Sequence, residues 1–576
     1  MLKLNSSRKG VLITLLALIS LSALLLSSAA FAQTSIATGS IQGNLTDATG
    51  ALLPNARITI TGPTGQTLHA TTNGSGEYSL GALIPGSYSV RVEAKGFKTA
   101  QLTLEVRVDN AANGSVKLEI GQESTVVEVQ ASEVQVNTEQ ATVQGVLTAS
   151  QIENLPVNGR NFLDLAQLEP GVQIQDGQNF DPTKAGYSSI SFGGRYGRTA
   201  RIEVDGVDVS DETVGTTTTD IPASAIQEFQ IGQASLDMST ELTSSGSVNV
   251  TTKSGTNGLH GEAFGQFRDF RAGWATLPGG ATPYSQRSQY GASLGGPIIK
   301  NKLFFFGDGE RTVQNTQTPV PISAPFQAYS GNFSDPFRED NLLGRLDYQL
   351  TKSARLFARY SYFKNLLGAT FGFGYSLYDN KNITRNDVVG VDFNTGPFTH
   401  SVRFSYLKFQ NQIVDATTGN SALPFDNLGA EIFMGATGLT AGPNLLAPQS
   451  TPQSDHEFKY DGSRILGSHI IRYGATFNHL QGGGFASFFR NGPQVISQVT
   501  TAESTPITGT ADNSWLPIGP TNPIGCPLPG PTGPCFPGGY TNPLNYPADG
   551  GYTLGNGLGF STSKVAIPGR SSRISH

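Results

Sequence analysis

A serine flanked by glycines is the feature of this sequence that most resembles a catalytic nucleophile. Gly291-Ala292-Ser293-Leu294-Gly295 fits G-x-S-x-G, a pattern that sets a nucleophilic serine on a sharp turn between a strand and a helix in many hydrolytic enzymes. The residues after it, GPIIKNKLFFF, are β-branched and aromatic and start no helix. We therefore interpret Ser293 as a strand residue, and the stretch as two strands joined by a turn at 300–302.

The histidines and cysteines are no better candidates for a catalytic or metal site than Ser293. The seven histidines form neither an H-x-x-E nor an H-E-x-x-H pattern, and we interpret His69 and His260 as surface residues. Cys526 and Cys535 lie nine apart in a stretch rich in proline and glycine, where a local disulfide is plausible in an oxidising compartment. A zinc site needs more ligands than this stretch offers. We predict no enzymatic activity, no metal and no cofactor.

The first 32 residues have the organisation of a signal peptide. Lys3, Arg8 and Lys9 precede the apolar run VLITLLALISLSALLLSS, and Ala30-Phe31-Ala32 supplies a small-x-small cleavage site. A retained anchor is the alternative.

Removal of the three positive charges of the signal peptide changes the net charge from −6 to −9, and an acidic chain without a basic block argues against a nucleic-acid partner. With 69 glycines, 32 phenylalanines and only 14% charged residues, the composition also differs from that of an ordinary soluble enzyme.

Short alternating segments separated by turn residues predict a small β-sandwich over residues 38–118. Ile58 and Ile60 share one face of a strand, and Tyr88, Val90 and Val92 share a face of another. The motifs GNLTDATG at 43–50, T-x-x-x-G-x-Y at 72–78 and L-x-P-G-x-Y at 83–88 resemble the carboxypeptidase regulatory-like domain. The resemblance implies a transthyretin-like sandwich without peptidase chemistry, of a type sometimes linked to carbohydrate binding.

The next region combines short helical and extended segments. Thr148–Leu155 and NFLDLAQL predict two short helices, Asp205-Gly206 predicts a tight turn, and IPASAIQEFQI predicts a short helix that leads into a strand. The motifs LPVNGRNF, EPGV, GGRYG, VDGV and GSVNVTTKSGTNGLHGEAF, in this order, resemble the plug of TonB-dependent outer-membrane receptors of the Oar-like branch. The resemblance implies a linker at 119–136 and an α/β plug at 137–255.

The resemblance also implies a segment that pairs with TonB by adding a strand. We predict this TonB box at Ser124, Thr125, Val126, Val127, Glu128 and Val129, because backbone pairing requires an extended β-rich segment more than particular side chains. A plug strand or a plain linker is the alternative.

Arg195, Arg198 and Arg201 form a cluster in the plug region. We expect them to contact the lumen wall rather than a ligand, and we interpret Asp205 and Asp208 as turn residues.

From residue 256 the sequence changes to strands whose two faces differ sharply. In NLLGRLDYQL, Leu342 and Leu346 alternate with Arg345 and Asp347, and the same alternation recurs in residues 355–363, 401–409 and 470–480. An apolar aromatic face opposite a charged face is typical of a strand between lipid and a polar lumen. Together with LGGPIIKNKLFFF, which also resembles the Oar-like receptors, this predicts a partial antiparallel outer-membrane β-barrel at 256–576.

The predicted barrel departs from the family pattern in strand number. About 25 residues per strand and connection gives on the order of 13 strands of ~9–11 residues, whereas the receptors have 22. Since an unpaired sheet edge is costly in lipid, we expect a chain that is shortened at its C-terminus. We expect a mainly β outer-membrane receptor that imports an unidentified extracellular ligand with TonB as partner. Surface display or export without TonB, and a secreted carbohydrate-binding protein, are the alternatives.

Overall fold

The computed structural model describes the chain from residue 38 onward with gaps. The described residues are 38–108, 110–121, 126–128, 143–155, 160–177, 187–212, 215–233, 243, 245–270, 285–323, 327–369, 374–395, 398–434, 437–466, 469–487, 491–492, 494–496, 551–555 and 560–563. The predicted signal peptide, Ser124, Thr125, Val129, Cys526 and Cys535 lie outside them.

Two sheets form the N-terminal sandwich. Its strands are β1 (Gly39–Thr46), β2 (Arg57–Thr61), β3 (Thr67–Thr71), β4 (Glu77–Leu83), β5 (Gly86–Glu93), β6 (Thr99–Val106), β7 (Ala111–Asn113), β8 (Val116–Lys117) and β9 (Val126–Glu128). One sheet has the order β4-β1-β7 with β8 also paired to β1, and the other has the order β3-β2-β5-β6-β9. Ile58, Ile60, Tyr88, Val90 and Val92 are all buried between them, which confirms the predicted faces.

The second unit, which we call the plug, is a five-stranded sheet with short helices around it. Its elements are β10 (Val143–Thr148), α1 (Ala149–Asn154), a 3-10 helix (Phe162–Leu168), β11 (Val172–Asp176), β12 (Ser188–Phe192), a 3-10 helix (Gly197–Thr199), β13 (Arg201–Val204), β14 (Val207–Asp208), a 3-10 helix (Ala223–Ala225), β15 (Ile226–Gln233) and β16 (Gly246–Thr252). The sheet order is β10-β15-β16-β13-β14, and β11 pairs with β12. The Thr148 amide donates to the Gln151 side chain at the start of α1, so the predicted helix begins with a capping interaction.

Long antiparallel strands form the third unit, which we call the wall. They are β17 (His260–Asp269), β18 (Ser285–Ile299), β19 (Leu303–Val320), β20 (Gly331–Thr351), β21 (Ala354–Ala369), β23 (Tyr378–Thr395), β24 (Phe398–Asp415), β27 (Gln449–Leu466), β28 (His469–Gly482) and the short β29 (Phe485–Ala486). Each long strand pairs with the next in this order, and β29 pairs with β27. Lengths of 14 to 21 residues from β18 to β28 exceed the ~9–11 needed to cross a bilayer.

The two faces of the wall have opposite character, as the alternation predicts. Leu342 and Leu346 are 53% and 48% exposed on the outer face, whereas Arg345 and Asp347 are 4% and 2% exposed on the inner face. Ser293 is buried on the inner side of β18, where it pairs with Asp308 of β19. A mid-strand position is not the strand-to-helix turn of a nucleophile elbow, so the strand interpretation of Ser293 is confirmed.

The connections at one end of the wall are short. β18 and β19 are joined by 300–302, where Asn301 adopts a left-handed conformation with φ 61°. β20 and β21, β23 and β24, and β27 and β28 are joined by connections of similar length. Short turns mark the periplasmic end of bacterial outer-membrane barrels, so we assign this end to the periplasm.

Longer connections at the opposite end build a small subdomain. Its strands are β22 (Gly374–Tyr375), β25 (Glu431–Met434), β26 (Leu439–Ala441), β30 (Gln494–Ile496), β31 (Gly551–Gly555) and β32 (Phe560–Ser563). They form one sheet in the order β22-β26-β25-β30-β31-β32. Phe425, Ile432 and Met434 are buried in its core, and Tyr329 and Tyr375 pack against it.

The wall ends at β17 and β28, and within the described residues these two strands are not paired with each other. β17 is exposed on both faces, with Phe267 78% exposed, and Phe477 of β28 is 67% exposed. Both faces of β28 are therefore exposed, so the alternation of polar and apolar residues in 470–480 does not give one buried and one exposed face. Among the described residues, none of the helices is both long enough and apolar enough to cross a bilayer.

Candidate site between the plug and the wall

A tight turn of the plug carries the centre of this site. Asp205 and Gly206 have φ angles of 54° and 82°, as a two-residue hairpin between β13 and β14 requires. Asp tolerates the left-handed region better than most residues. The Asp205 carboxylate accepts hydrogen bonds from the Thr252 amide and hydroxyl at 2.9 and 2.8 Å, so the neighbouring end of β16 fixes its orientation.

Arginines from the wall converge on this carboxylate. Arg345 Nη1 lies 3.0 Å from Asp205 Oδ1, and Arg359 Nη1 lies 3.1 Å from Asp205 Oδ2. None of the three side chains is more than 3% exposed. Arg403 Nε donates to the Asp205 carbonyl oxygen at 3.1 Å. Burial alone would raise the pKa of Asp205, but the two guanidiniums and the Thr252 bonds outweigh it and hold the pKa below its ordinary value.

Wall carboxylates balance part of the arginine charge. Arg345 Nε lies 3.0 Å from Asp347 Oδ2, and Arg403 Nη2 lies 2.8 Å from Asp392 Oδ1. The guanidinium carbons of Arg345 and Arg403 lie 4.4 and 4.8 Å from the centre of the Phe357 ring. The site is thus a network in which each buried charge has an opposite charge or an aromatic face beside it, as burial requires.

A second ionic contact joins the plug to β27, the strand of the wall that pairs with β24. Lys459 Nζ of β27 lies 3.1 Å from Glu203 Oε2 of β13, and both side chains are at most 1% exposed. The Asp208 amide donates to Glu457 Oε2 at 3.1 Å. The Gln453 side chain donates to the Ser210 carbonyl oxygen at 3.2 Å. β13, β14 and the residues after them are therefore held by β27 as well as by the arginines of β20, β21 and β24.

An apolar contact lies elsewhere on the plug. The Tyr187 ring packs edge-on against Phe363 and Phe409 of the wall, with ring centroids 5.8 and 6.4 Å apart. Leu343 and Leu407 of the wall belong to the same buried cluster as the plug core. The contact between plug and wall is therefore part apolar and part ionic. Most of its ion pairs lie at the β13–β14 hairpin, and Arg160 of the plug pairs elsewhere with Glu310 of β19 at 3.5 Å.

The predicted arginine cluster lies on the plug beside this hairpin. Arg201 Nη1 lies 2.7 Å from Asp208 Oδ2 and 2.7 Å from Glu212 Oε1, and Arg198 donates to the Glu212 carbonyl oxygen at 3.2 Å. These partners belong to the plug itself. Contacts of Arg195, Arg198 and Arg201 with the wall stay a prediction.

Sequence reasoning missed the residues that do join plug and wall. Asp205 is a turn residue, as predicted, and it is also the acceptor of the two wall guanidiniums. The alternation in residues 341–350, 355–363 and 401–409 puts Arg345, Arg359 and Arg403 on the polar face of their strands. It does not tell which plug residue each one meets. One signal in the sequence could have indicated this pairing. The predicted hairpin VDGVD carries charge at its tip, and several predicted strands each carry an arginine on the inward face.

The N-terminal sandwich lies against the periplasmic end of the wall. The Asn257 side chain donates to the Thr64 carbonyl oxygen at 2.5 Å, and the Asn394 side chain donates to the Gly81 carbonyl oxygen at 2.8 Å. The Val108 amide donates to both carboxylate oxygens of Glu228 in β15 at 3.0 Å. A cavity of about 620 Å³ lies between sandwich, plug and wall, and Arg107 and Arg355 contribute to its lining.

Of the predicted TonB box, the structure describes Val126–Glu128. These residues form β9, which pairs in parallel with β6 in the register Thr99 to Val126, Ala100 to Val127 and Gln101 to Glu128. The extended conformation that strand addition needs is thus present. The assignment of this segment to TonB stays a prediction.

Comparisons with known proteins find matches for the N-terminal sandwich and for the wall. Residues 40–119 match the family described as carboxypeptidase regulatory-like domain. Residues 251–339 and 319–516, two overlapping segments, match the family described as outer membrane beta barrel domain. The chain is 27% identical over 309 residues to the TonB-dependent transporter Oar of Myxococcus xanthus, a match that covers 49% of this chain and 27% of that protein.

Solved structures with a similar arrangement include two outer-membrane proteins. The outer membrane transporter YddB of Escherichia coli superposes with a TM-score of 0.49 at 12% identity, over 62% of this chain and 50% of that one. The siderophore receptor PirA of Acinetobacter baumannii gives a TM-score of 0.43 at 17% identity, over 59% and 48%. The chain thus spans about half the length of these structures and about a quarter of the length of Oar.

Proposed function

We propose that this chain, which matches an outer membrane beta barrel domain and an N-terminal carboxypeptidase regulatory-like domain, acts in TonB-dependent import of an extracellular ligand. The outer membrane is its location. The observation that carries the proposal is the β13–β14 hairpin of the plug, which Arg345 and Arg359 of the wall hold through Asp205. The ligand is unidentified, and the proposed reaction is transport without catalysis.

The charged character of this contact supports a plug that moves. A buried ion pair is strong only while its geometry is kept, because each charge is costly once it is buried and unpaired. When the hairpin leaves the wall, water in a polar lumen can solvate Asp205 and the arginines. The same displacement of an apolar contact would expose hydrocarbon to water. An ionic contact therefore combines a well-defined closed state with a solvated open state.

Energy coupling in this proposal acts through the segment before the plug. Val126–Glu128 precede β10, the first strand of the plug, by a connection within the chain. A partner strand that pairs with this segment could pull on the plug through the covalent backbone. Such pairing uses main-chain hydrogen bonds, so it depends on the backbone amides of the segment.

Replacement of Val127 by proline tests the coupling. Proline removes an amide donor and fixes φ, so we expect Val127→Pro to lower the affinity for the C-terminal periplasmic domain of TonB by at least tenfold. Val127→Thr keeps both the amide and the β-branch and serves as the matched control. The measurement is biolayer interferometry of the detergent-purified full chain against immobilised TonB domain.

Two results would contradict the proposal. If the wild-type chain does not bind the TonB domain, surface display or export without TonB becomes the better explanation. If Val127→Pro binds as tightly as Val127→Thr, the segment is not the TonB box. Uptake by cells that carry a deletion of 124–129 would separate import from display once a ligand is known, because only an importer loses uptake.

A further inference from the structure

We infer that the N-terminal sandwich presents Val126–Glu128 to the partner, so that the partner strand extends the sandwich sheet as its next strand. The inference rests on the proposed function, because the partner is a protein that binds by strand addition. It differs from a TonB box that is a free tail: here a folded domain holds the segment in the binding-competent form.

The sheet order carries the first step. β9 is the last strand in the order β3-β2-β5-β6-β9, and within the described residues its second edge is not paired with another strand. An outermost strand offers a row of backbone donors and acceptors to an incoming strand. A partner can therefore add to β9 without displacing it from β6.

The second argument is that the backbone of β9 is already ordered before a partner binds. A free segment loses backbone conformational entropy when a partner fixes it as a strand, whereas β9 is already extended through its register with Thr99, Ala100 and Gln101. The pairing covers three residues, which is short compared with a usual strand of about 5–6 residues. A partner strand that pairs with β9 therefore adds to a strand that β6 has already ordered.

The position of the sandwich carries the third step. The sandwich touches the periplasmic end of the wall through Thr64 and Gly81, which is the side from which an inner-membrane partner must approach. Beyond the end of β6, the Val108 amide donates to both carboxylate oxygens of the buried Glu228 in the plug. A load on β9 can therefore reach the plug through β6 and Glu228 as well as through the covalent chain.

A reversible disulfide between β6 and β9 tests whether the partner binds the presented strand or a released one. Gln101 and Glu128 are register partners, so Gln101→Cys with Glu128→Cys should form a crosslink under mild oxidant. The background carries Cys526→Ser and Cys535→Ser. Glu105→Cys with Glu128→Cys is the matched control, because Glu105 lies four residues further along β6, about 13 Å away, and cannot reach.

The readout is the affinity of the full chain for the TonB C-terminal domain before and after reduction. We expect the crosslink in the 101/128 pair and not in the 105/128 pair, and oxidised protein that binds within threefold of reduced protein or more tightly. A loss of tenfold or more on oxidation, restored by dithiothreitol, would show that the strand must leave β6 and would overturn the inference.

Other outcomes also decide the matter. Absence of the 101/128 crosslink would mean that the pairing does not exist in solution. Binding by the wild type but not by the reduced 101/128 variant would mean that side-chain recognition at 128 replaces backbone pairing. Each of these overturns the inference and leaves TonB coupling intact, whereas a wild-type chain that does not bind refutes the proposed function itself.

Discussion

Replacement of Asp205 by asparagine should weaken the contact that holds the plug against the wall. The change keeps the size of the side chain and one acceptor for the Thr252 amide, but it removes the negative charge that faces two guanidiniums. Arg345 keeps Asp347 at 3.0 Å. Arg359 keeps a hydrogen bond to the Asn386 side chain but loses the carboxylate at 3.1 Å.

The magnitude follows from the burial of the arginines. Removal of one partner of a buried ion pair usually destabilises by about 3–5 kcal/mol because the remaining charge is buried and unpaired. Since Arg345 retains Asp347, we take the lower end, about 3 kcal/mol. At 1.36 kcal/mol per factor of ten, this corresponds to a roughly 10²-fold increase in the rate of hydrogen exchange through plug opening, provided that reclosing is faster than exchange.

Hydrogen–deuterium exchange followed by mass spectrometry measures this on the detergent-purified chain. The reporters are peptides from β15 and β16, the central strands of the plug sheet. Asp220→Asn is the matched control. Burial and the Glu339 and Glu310 carboxylates raise the pKa of Asp220 well above its ordinary range, so an uncharged amide should leave protection unchanged or increase it.

A double-mutant cycle identifies the partner. If Asp205 acts through Arg359, then Arg359→Gln combined with Asp205→Asn should cost less than the sum of the two single changes, because neither leaves the other charge unpaired. Equal exchange in wild type and Asp205→Asn, or two effects that simply add, would refute the view that this ion pair holds the plug.

Two further predictions concern the sandwich and the pH dependence of the plug. A methyl group at Gly65 (φ 72°) would overlap the barrel asparagine side chains that face it, whereas Gly96 (φ 87°) has open space around it; Gly65→Ala should therefore increase proteolysis at the interface of sandwich and wall, Gly96→Ala should not, and equal cleavage would contradict the docked arrangement. Burial, opposed in part by Arg201, raises the pKa of Asp208 from its ordinary value of 3.8 to about 6. Between these values the native plug binds more protons than the unfolded chain, so its stability should rise as pH falls from 7 to 4. Asp208→Asn should remove that part of the pH slope in exchange measurements, and an unchanged slope would contradict the assignment.

The alternation of side chains allowed the faces of the wall to be predicted. Leu342 and Leu346 are outside and Arg345 is inside because a strand places successive side chains on opposite faces. The hairpin at Asp205-Gly206 was also predictable, since few dipeptides accept two left-handed residues in succession. Local rules of this kind need only neighbours in the sequence.

The sequence made no prediction of which distant residues meet. Phe357 lies on the inner face of β21 with Arg355 and Arg359, as the alternation implies, but the alternation does not show that it packs against Val207 and Val388 and beneath two guanidiniums. The pairing of Asp205 with Arg345 spans 140 residues. Nothing in either segment specifies the register that brings them together, so the sequence indicates inward charges without their partners.

The distribution of charge and hydrocarbon between plug and wall bears on how the plug could move. Contacts around Tyr187 are apolar, and contacts around Asp205 and Glu203 are mainly ionic, with Val207 against Phe357 as their apolar part. A movement that pivots about the apolar contact and opens the ionic one would keep most of the hydrocarbon covered, because it uncovers only the contact of Val207 with Phe357 and Val388. The exposed charges would be solvated by the lumen. The opposite pivot would expose aromatic rings to water and leave the ion pairs intact. The first movement breaks ion pairs but lets the lumen solvate their charges, whereas the second exposes hydrocarbon with no such compensation. The β13–β14 hairpin is therefore the part of the plug that should separate from the wall first.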